Sequence, residues 1–560
     1  MKKLVVILFA LPLFIGCKEV VKQTGDLGAV QKPPLEKKTP FSWEAANVYF
    51  LLTDRFNNAD PNNDLNFQRM DSTALLRGFE GGDLRGITEK IEQGYFTDLG
   101  INAIWMSPVM EQIHGSTDEG TGNTYGFHGY WIKDWTSLEP NFGSREDLAK
   151  LVETAHRKGI RIIFDVVLNH TGPVTDQDGA WPKEWVRTDP QCDYTSYENT
   201  TACTLVKNLP DILTESKEAV ELPDALMAKW KQEDRMSKEL DELNLFFERT
   251  GYPRAPRYYI IKWLVDYVYE YGVDGFRVDT AKHVNEDVWD ELRKEADHAF
   301  GLWKKKHPEK VLDDNAFYMV GEVYNYGISG GREFDFGDKK VDYFDHGFSS
   351  LINFELKGEA DGDYETIFKK YSDLLQTTLK NKGVLNYLSS HDDGSPYDPE
   401  RKKPYRTANV LLLTPGASQV YYGDETSRPL VIEGAQGDAT LRSPMNWADL
   451  DSLPEIQAIH RHWQKLGQFR RDHPAVGAGK HHLLSKAPYV FSRTYVKGDY
   501  RDKVVVGLDL PKGKKSLRVK GFFGDGTKLY DAYSMTQVTV THGTVSLDND
   551  FDTALLELLD

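Results

Sequence analysis

The chain alternates short apolar runs with longer stretches of helical periodicity, and no other feature restricts its fold as strongly. The runs are rich in β-branched and aromatic residues, as strands are. The stretch from Ser144 to Gly159, between two of them, has the polar start and glycine end that are typical of a helix. Eight strands alternating with helices favour an α/β fold, a (β/α)8 TIM barrel; a doubly wound parallel sheet is the alternative, but no Gly-rich phosphate loop follows the first run. The predicted strands are residues 47–53, 102–108, 161–170, 275–280, 317–324, 342–348, 384–392 and 419–425.

Two segments depart from a plain barrel. About a hundred residues separate the third run from the fourth, and only the part from Arg257 onward has the pattern of a barrel helix. After about residue 480 the chain changes to short strands and turns, which indicates an antiparallel β domain. We therefore predict a barrel of residues 41–170 and 257–480, an inserted domain of residues 171–256 and a C-terminal β-sandwich of residues 481–560.

The N-terminus has the pattern of an export signal. Two lysines precede the apolar run 4–15, which is too short to span a membrane, and Gly16 and Cys17 follow it. LFIGC resembles a bacterial lipobox, so we interpret residues 1–17 as a lipoprotein signal with Cys17 acylated and residues 18–40 as a flexible tether. The alternative is an ordinary cysteine beside an uncleaved signal. The first interpretation predicts a lipoprotein exported by a Gram-negative-type bacterium and held on a membrane, in the periplasm or at the cell surface.

The other two cysteines, Cys192 and Cys203, lie close together in the predicted insertion. An exported protein resides where thiols oxidise, and neither cysteine belongs to a CxxC pair that would indicate a metal. We predict a disulfide between them.

The charge of the chain limits its partners. A net charge of −18 argues against nucleic acid, whose phosphates require a basic surface. It suits a soluble enzyme, expected to be a monomer, that acts on a neutral substrate. Aromatic residues make up 12% of the chain, and their flat rings suit the stacking of sugars, although most aromatic residues serve in cores.

Polar residues stand at the predicted strand ends, where barrels of this type place their active sites. Arg277 and Asp279 are two residues apart and therefore share one face of the fourth strand. They form either a structural ion pair or half of a catalytic site. Asp279, Glu322 and Asp392 would converge at one mouth of the barrel, and three grouped carboxylates favour the catalytic interpretation.

Grouped carboxylates suit the cleavage of glycosidic bonds, in which one carboxylate attacks or stabilises the anomeric carbon and another protonates the leaving oxygen. A cation keeps its partner ionised, whereas burial and neighbouring negative charge favour the protonated form. Arg277 therefore indicates Asp279 as the nucleophile. Glu322 has no cation next to it in the sequence and is predicted to be the acid.

Five short motifs resemble conserved regions of the α-amylase family of glycoside hydrolases. They are DVVLNH (165–170), LPDI (209–212), GFRVDTAKH (275–283), GEVY (321–324) and LSSHDD (388–393). From about residue 43 onward the chain fits the family's plan of a barrel, a domain inserted after the third strand and a C-terminal β-sandwich. LPDILTES and GFRVDTAKHV are most similar to periplasmic α-amylases of Gram-negative bacteria.

The resemblance implies a role for each matching position. Asp279 corresponds to the nucleophile of a retaining mechanism with a covalent intermediate, Glu322 to the general acid/base, and Asp392 to the carboxylate that holds the sugar hydroxyls. Asp165 is expected to support the site through Arg277. The implied substrate-binding residues are His128, Tyr130, His170, Arg277, Lys282 and His391.

The resemblance also implies two calcium sites. NNADPNND (57–64), followed by GGD (81–83), is similar to the calcium loop of the cyclodextrin glucanotransferase-like branch, although Asn- and Asp-rich loops are also common as plain turns. A second site would bridge the barrel and the insertion. The alternative interpretation of Asn169 is that its side chain only forms a hydrogen bond with the inserted loop. Hard oxygen ligands suit Ca²⁺. The implied ligands are Asn58, Asp60, Asn63, Asp64, the carbonyl of Gly81 and Asp83 in the first site, and Asn169, Asp211 and the carbonyl of His283 in the second.

These features together predict an α-amylase-type endo-hydrolase acting on the α-1,4-glucosidic bonds of starch and maltodextrins. An α-glucanotransferase is the alternative, but transferases of the family typically carry an aromatic residue where this chain has Lys207, and they usually append further domains. A non-catalytic glucan-binding lipoprotein or partner subunit is a remote third interpretation, because such proteins usually lose one or more of the three carboxylates and this sequence keeps them all.

Overall fold

The computed structural model describes residues 39–118 and 120–559, and its central feature is a closed barrel of eight parallel strands. The barrel closes because its first strand pairs in parallel with both the second and the eighth. The predicted (β/α)8 barrel is confirmed, and the closure excludes a doubly wound open sheet. The strands are β1 (Asn47–Leu51), β2 (Ala103–Met106), β3 (Arg161–Val166), β4 (Gly275–Val278), β5 (Tyr318–Gly321), β6 (Ser350–Asn353), β7 (Gly383–Asn386) and β8 (Ala417–Tyr421).

Seven of these strands lie at predicted runs, but the sixth prediction was wrong. Residues 343–347 form consecutive turns, and β6 follows them at Ser350. The carboxylate of Asp342 accepts a hydrogen bond from the backbone N–H of Phe344, and its carbonyl accepts one from Asp345. An aspartate that bonds its own backbone two residues on favours a turn, and this local bond overrides the aromatic content of the segment.

Helices pack around the barrel and bury its outer face. The predicted helix between β2 and β3 begins after Ser144, whose hydroxyl accepts from Asp147 N while the Asp147 carboxylate accepts from Ser144 N, a complete capping box. The helix predicted from Arg257 begins one residue earlier, at Pro256. The helices of eight or more residues are α1 (Leu84–Glu92), α2 (Arg145–Arg157), α3 (Asp224–Gln232), α4 (Met236–Thr250), α5 (Pro256–Tyr271), α6 (Asp287–Lys306), α7 (Tyr364–Gln376), α8 (Pro404–Leu413) and α9 (Pro454–Asp472).

Two long connections rise above the carboxyl ends of the strands. The predicted insertion between β3 and β4 contains a small hairpin of Val186–Arg187 with Asp211–Ile212, followed by α3 and α4. Its two cysteines form the predicted disulfide. The connection between β2 and β3 also forms a hairpin, in which Met110–Gln112 pairs with Ile132–Leu138. No pattern in the sequence predicted this second excursion.

The C-terminal part is an antiparallel β domain with its own core. It begins at Lys480, one residue before the predicted boundary, and a six-stranded sheet packs with a two-stranded one. Its apolar cluster includes Val505, Leu517 and Leu556, which are fully buried. The strands are β9 (Lys480–Lys486), β10 (Tyr489–Lys497), β11 (Tyr500–Leu508), β12 (Gly513–Arg518), β13 (Lys528–Asp531), β14 (Thr536–Thr539), β15 (Thr544–Asn549) and β16 (Ala554–Leu558).

The predicted signal, with Cys17, and the tether up to residue 38 lie outside the described residues. Within the part of the chain that the structure describes, no helix combines the length and hydropathy that crossing a membrane requires.

A buried histidine joins the barrel to the C-terminal domain. His473 follows α9; its Nδ1 lies 2.8 Å from Asp502 on β11, and its Nε2 contacts Glu557 on β16. Burial alone would lower the pKa of this imidazole, but hydrogen bonds to the two carboxylates raise it to about 9. The protonated ring therefore bridges two negative charges at the domain interface.

We predict that His473→Gln destabilises the protein in a pH-dependent way. The folded-state pKa of His473 is above the unfolded value of about 6.5, so its interactions with the two carboxylates stabilise the folded state fully below pH 6.5. This stabilisation is lost as the pH rises through 9. The difference between the two pKa values corresponds to about 3 kcal/mol of unfolding free energy. The test is the melting temperature of wild type and variant at pH 6 and pH 9.5, with exposed His482→Gln as the control. A gap between wild type and His473→Gln that stays constant with pH would contradict the prediction.

Candidate active site

The centre of the site is the side chain of Arg277 on β4. The register places Arg277 directly opposite Asp165 on β3, and Arg277 Nη1 lies 2.8 Å from Asp165 Oδ1. The same nitrogen lies 2.7 Å from Asp279 Oδ1, and Nη2 lies 2.9 Å from Glu322 Oε1. All four groups are buried. One guanidinium thus brings together three carboxylates that arrive on three neighbouring strands.

Asp165 lies deepest in this cluster and is fully engaged. Its Oδ2 accepts from Trp105 Nε1 at 3.0 Å and from the Tyr130 hydroxyl at 2.7 Å. Burial raises the pKa of this carboxyl to about 6, against the opposing effect of Arg277. Because its side chain has no solvent exposure, Asp165 can orient Arg277 and Tyr130 but cannot meet a substrate directly.

Glu322 stands at the end of β5 and is held from two sides. Its Oε2 accepts from the backbone N–H of Thr280 at 2.9 Å. Thr280 has a φ of 49°, a left-handed conformation that is strained for a β-branched residue and is characteristic of functional sites. Burial raises the pKa of Glu322 well above its ordinary value, Arg277 opposes this rise, and the negative charges of Asp279 and Asp392 add to it.

The expected contrast between Asp279 and Glu322 needs a correction. The sequence suggested that only Asp279 has a neighbouring cation, whereas Arg277 contacts both carboxylates. The pairing on β4 is visible in the sequence, but the contact with Glu322 depends on how β4 and β5 align. What separates Glu322 from an ordinary paired carboxylate is its burial among other negative charges.

Rings line the neighbouring wall of the site. Tyr130 lies between two imidazoles, with its ring 5.1 Å from that of His391 and 5.8 Å from that of His128. His170 Nε2 lies 3.1 Å from the carbonyl oxygen of Tyr130. Burial lowers the pKa of all three histidines, so each is a neutral donor and acceptor near pH 7. Asp392 follows His391, and its side chain is 41% exposed at the mouth.

These residues line a cleft of about 860 Å³, a size that suits an oligosaccharide segment. The cleft also contains a salt-bridge network that the sequence analysis missed. Arg77 and Arg442 both bind Asp438, at 2.9 and 2.6 Å, beside His128 and Asp392. Asp438 and Arg442 lie in a long loop after β8 whose residues match no motif, so only the folded chain reveals them.

Aromatic residues, two of them exposed, surround Lys282 at the other end of the site. The Lys282 ammonium donates to the carbonyl of Tyr324 at 3.2 Å. It lies 5.2, 5.5 and 5.9 Å from the ring centres of Tyr324, Phe334 and Tyr194. Tyr194 and Tyr324 are 52% and 46% exposed, so both rings are accessible to a ligand. Tyr324 follows Glu322 by two residues, so this wall lies on the Glu322 side of the cleft.

The first implied calcium loop is partly arranged as a ligand set. Asn58 Nδ2 lies 2.9 Å from Asp64 Oδ1, and Gly81 has a φ of 90° with no room for a Cβ beside these two side chains. Asn63 Oδ1 is buried and has no hydrogen-bond partner. Asn58 and Asp64 therefore converge beside Gly81 through a hydrogen bond, and Asn63 is the one of these residues that presents a buried, unpaired oxygen to a cation.

The two remaining residues of this loop are engaged elsewhere. Asp60 pairs with Arg85 at 2.6 Å, and Asp83 caps α1 by accepting from Gly86 N at 2.6 Å and also accepts from Asp60 N at 2.8 Å. Among residues 39–118 and 120–559, no group of three or more His, Cys, Asp or Glu side chains is placed to hold a metal. Any cation here would depend largely on amide and carbonyl oxygens.

The second implied site contains oxygens that face one another. The side-chain oxygen of Asn169 lies 3.0 Å from the carbonyl oxygen of His283 and 3.3 Å from Asp211 Oδ1. Oxygens this close require a proton or a cation between them. A rotated Asn169 amide would supply the proton, and Ca²⁺ would supply the charge. The three residues therefore fit a calcium ion that joins β3, the insertion and the segment after β4.

Comparisons with known proteins agree with this geometry. The family profile described as "Alpha amylase, catalytic domain" matches residues 50–453. The periplasmic alpha-amylase of Escherichia coli K12 is 38% identical over 536 residues, covering 85% of this chain and 74% of that protein. A cyclomaltodextrin glucanotransferase of Thermoanaerobacterium thermosulfurigenes is 23% identical, with 88% of this chain and 63% of that protein covered. The crystal structure of an Anoxybacillus alpha-amylase superposes with a TM-score of 0.63 at 23% identity, covering 93% of this chain and 99% of that one.

The strand-end carboxylates, the barrel and these matches define a glycoside hydrolase. The chain belongs to the α-amylase family.

Proposed function

We propose that the chain is an endo-acting α-amylase that cleaves α-1,4-glucosidic bonds of starch and maltodextrins with retention of the anomeric configuration. The observation that supports this most directly is the shared guanidinium, which holds Asp279 and Glu322 within one hydrogen bond of Arg277. Retaining hydrolysis requires two carboxyl groups close together, one ionised and one protonated. The raised pKa of Glu322 suits the protonated partner.

The proposed reaction has two steps. Asp279 attacks the anomeric carbon while Glu322 gives its proton to the leaving glycosidic oxygen, and a glycosyl-enzyme bond forms as the C–O bond breaks. Water then attacks the anomeric carbon, Glu322 takes a proton from that water, and the bond to Asp279 breaks. Arg277 keeps both carboxylates in position throughout.

The surrounding residues are proposed to bind the sugar. Asp392, exposed at the mouth, accepts from hydroxyl groups of the ring that is attacked. Neutral His128, His170 and His391 exchange hydrogen bonds with the same ring, and Tyr130 stacks against it. Lys282 and its aromatic neighbours bind glucose units on the leaving-group side, because the acid Glu322 faces that side.

We predict that Glu322→Gln lowers the rate of maltopentaose cleavage by about 10³-fold or more, because the leaving oxygen loses its proton donor. Maltosyl fluoride, whose leaving group needs no proton, should still release fluoride in this variant. The measurements are reducing-sugar release and fluoride release, with exposed Glu333→Gln as the control. A variant that cleaves maltopentaose at the wild-type rate would remove Glu322 from the acid role.

Glucan transfer is the second candidate, and the glucanotransferase relatives favour it. Lys207, which lines the cleft, is the observation against it, because a charged flexible side chain gives an acceptor sugar no flat surface. A product profile from maltopentaose, with the anomer followed by NMR, distinguishes the two. Short α-anomers support hydrolysis with retention, whereas cyclic or mostly lengthened products support transfer.

We also propose that Ca²⁺ occupies the two oxygen-rich sites, with Asn169, Asp211 and the His283 carbonyl in one and the NNADPNND loop in the other. An ion held by Asn169, Asp211 and the His283 carbonyl would fix the insertion to the barrel beside the cleft. It would have a structural role, neutralising oxygens that otherwise repel each other.

Removal of calcium is predicted to lower the melting temperature. A ligand present at 100 times its Kd adds about 2.7 kcal/mol to the stability of the folded state. Wild-type protein treated with EDTA should melt at a lower temperature and recover on addition of CaCl₂ but not MgCl₂. Asn169→Ala should reduce this recovery, and exposed Asn244→Ala should not. No change of melting temperature with EDTA or CaCl₂ would show that the Asn169 amide bridges the oxygens itself.

We propose that the protein is exported and acylated at Cys17, and that the barrel, the insertion of residues 171–256 and the sandwich of residues 481–560 form its three exported domains. Similarity to a periplasmic relative supports export. We predict that the full chain, expressed in a Gram-negative host, takes up radiolabelled palmitate and sediments with membranes. Cys17→Ser should release it into the soluble fraction, and unchanged sedimentation of that variant would contradict the lipid anchor.

A further inference from the structure

Two loops from distant parts of the sequence meet above Lys282. One is the loop closed by the disulfide between Cys192 and Cys203, which carries Tyr194. The other is a hairpin in which Phe334–Asp335 pairs with Lys340–Val341, and it carries Phe334. Lys282 lies between the two aromatic rings, so the relative position of the loops sets the shape of the leaving-group end of the cleft.

A polar clamp joins these two loops, and Tyr197 is its centre. The backbone N–H of Tyr197 donates to Asp338 Oδ1 at 2.8 Å, and its hydroxyl contacts Glu286. Lys339 Nζ lies 2.6 Å from Glu286 Oε1 and 3.7 Å from the centre of the Tyr197 ring. The contacts connect the disulfide loop, the turn of the hairpin and the residue before α6.

The clamp is linked to the rings around Lys282 by direct packing. Phe336 lies 5.2 Å from Tyr197 and 5.0 Å from Phe334, whose ring faces Lys282. On the other side, the Tyr197 carbonyl accepts from Thr200 N at 3.0 Å, and the Thr200 carbonyl lies 3.1 Å from His283 Nδ1. Among the described residues, Tyr197, Glu286 and Lys339 make no direct contact with Asp279, Glu322 or Asp392.

We propose that Tyr197, Glu286 and Lys339 are positioning residues that fix Tyr194 and Phe334 about Lys282 and thereby determine the affinity for glucose units on the leaving-group side. The inference rests on the proposed function and adds the residues that govern its leaving-group specificity. Partly exposed rings on separate loops lose conformational freedom when a sugar binds between them. A clamp that orders the loops beforehand reduces this cost and strengthens binding without changing the chemical step.

Two substrates separate this role from a general structural one. Maltopentaose places sugars on both sides of the cleaved bond, whereas maltosyl fluoride has only a fluoride ion on the leaving-group side. Tyr197→Phe and Lys339→Met should raise KM for maltopentaose by about 3- to 10-fold with kcat within about twofold, as expected when uniform binding is lost. Their kcat/KM for maltosyl fluoride should stay within about twofold of wild type.

The hairpin offers a matched control in Lys340→Met. Lys340 is the next residue, is 58% exposed and pairs with Asp335 on the outer side, so this variant should match wild type on both substrates. Tyr194→Ala, which removes a ring of the wall itself, should reproduce the maltopentaose defect. Melting temperatures identify any variant that fails to fold, and the two clamp variants then serve as checks on each other.

Equal losses on both substrates would overturn the proposal, because they would mean that the clamp supports the whole site. Unchanged kinetics of both clamp variants on maltopentaose would overturn it as well. A wild-type protein that acts on neither substrate would instead refute the proposed function, so the two failures are distinguishable.

Discussion

The rest of the site depends on one buried guanidinium. Arg277 is 1% exposed and contacts Asp165, Asp279 and Glu322, so a single positive charge faces three carboxyl groups. Three ionised carboxylates in that setting would leave excess negative charge out of reach of water, at a cost of several kcal/mol. The raised pKa of Glu322, caused by burial and by the neighbouring carboxylates, indicates how the cluster avoids this: Glu322 holds a proton. A proton held near neutral pH is what an acid catalyst requires.

The strands of the barrel position these charged groups, and the loops above them form a cleft large enough for the substrate. Neighbouring parallel strands deliver Asp165, Arg277 and Glu322 to one edge, because their side chains point to the same interior. The two excursions between β2 and β4 then build the walls. One brings His128 and Tyr130 against His391, and the other brings the disulfide loop over Lys282.

Sequence reasoning succeeds where local chemistry decides the structure. The alternation of runs predicts seven of the eight barrel strands, and the two cysteines predict their disulfide. The prediction fails where a single side-chain hydrogen bond outweighs the apolar pattern of a segment, and where the interacting partner is distant in the sequence. Asp342 turns the chain where aromatic content suggested a strand. The contact of Arg277 with Glu322, and the network of Arg77, Asp438 and Arg442, join residues far apart in the chain, and no spacing encodes them.

The two ends of the cleft are therefore controlled by different kinds of interaction. The carboxylates are fixed by strand register and by a buried ion pair, which tolerate little change because an unpaired buried charge is so costly. The leaving-group wall is fixed by contacts among partly exposed loop residues, where single substitutions cost far less. In a retaining reaction, the residues of the leaving-group wall determine whether a sugar or a water molecule attacks the glycosyl-enzyme intermediate. The choice between transfer and hydrolysis can thus change through loop residues such as Tyr194 and Lys207 while Arg277 and its carboxylates stay the same.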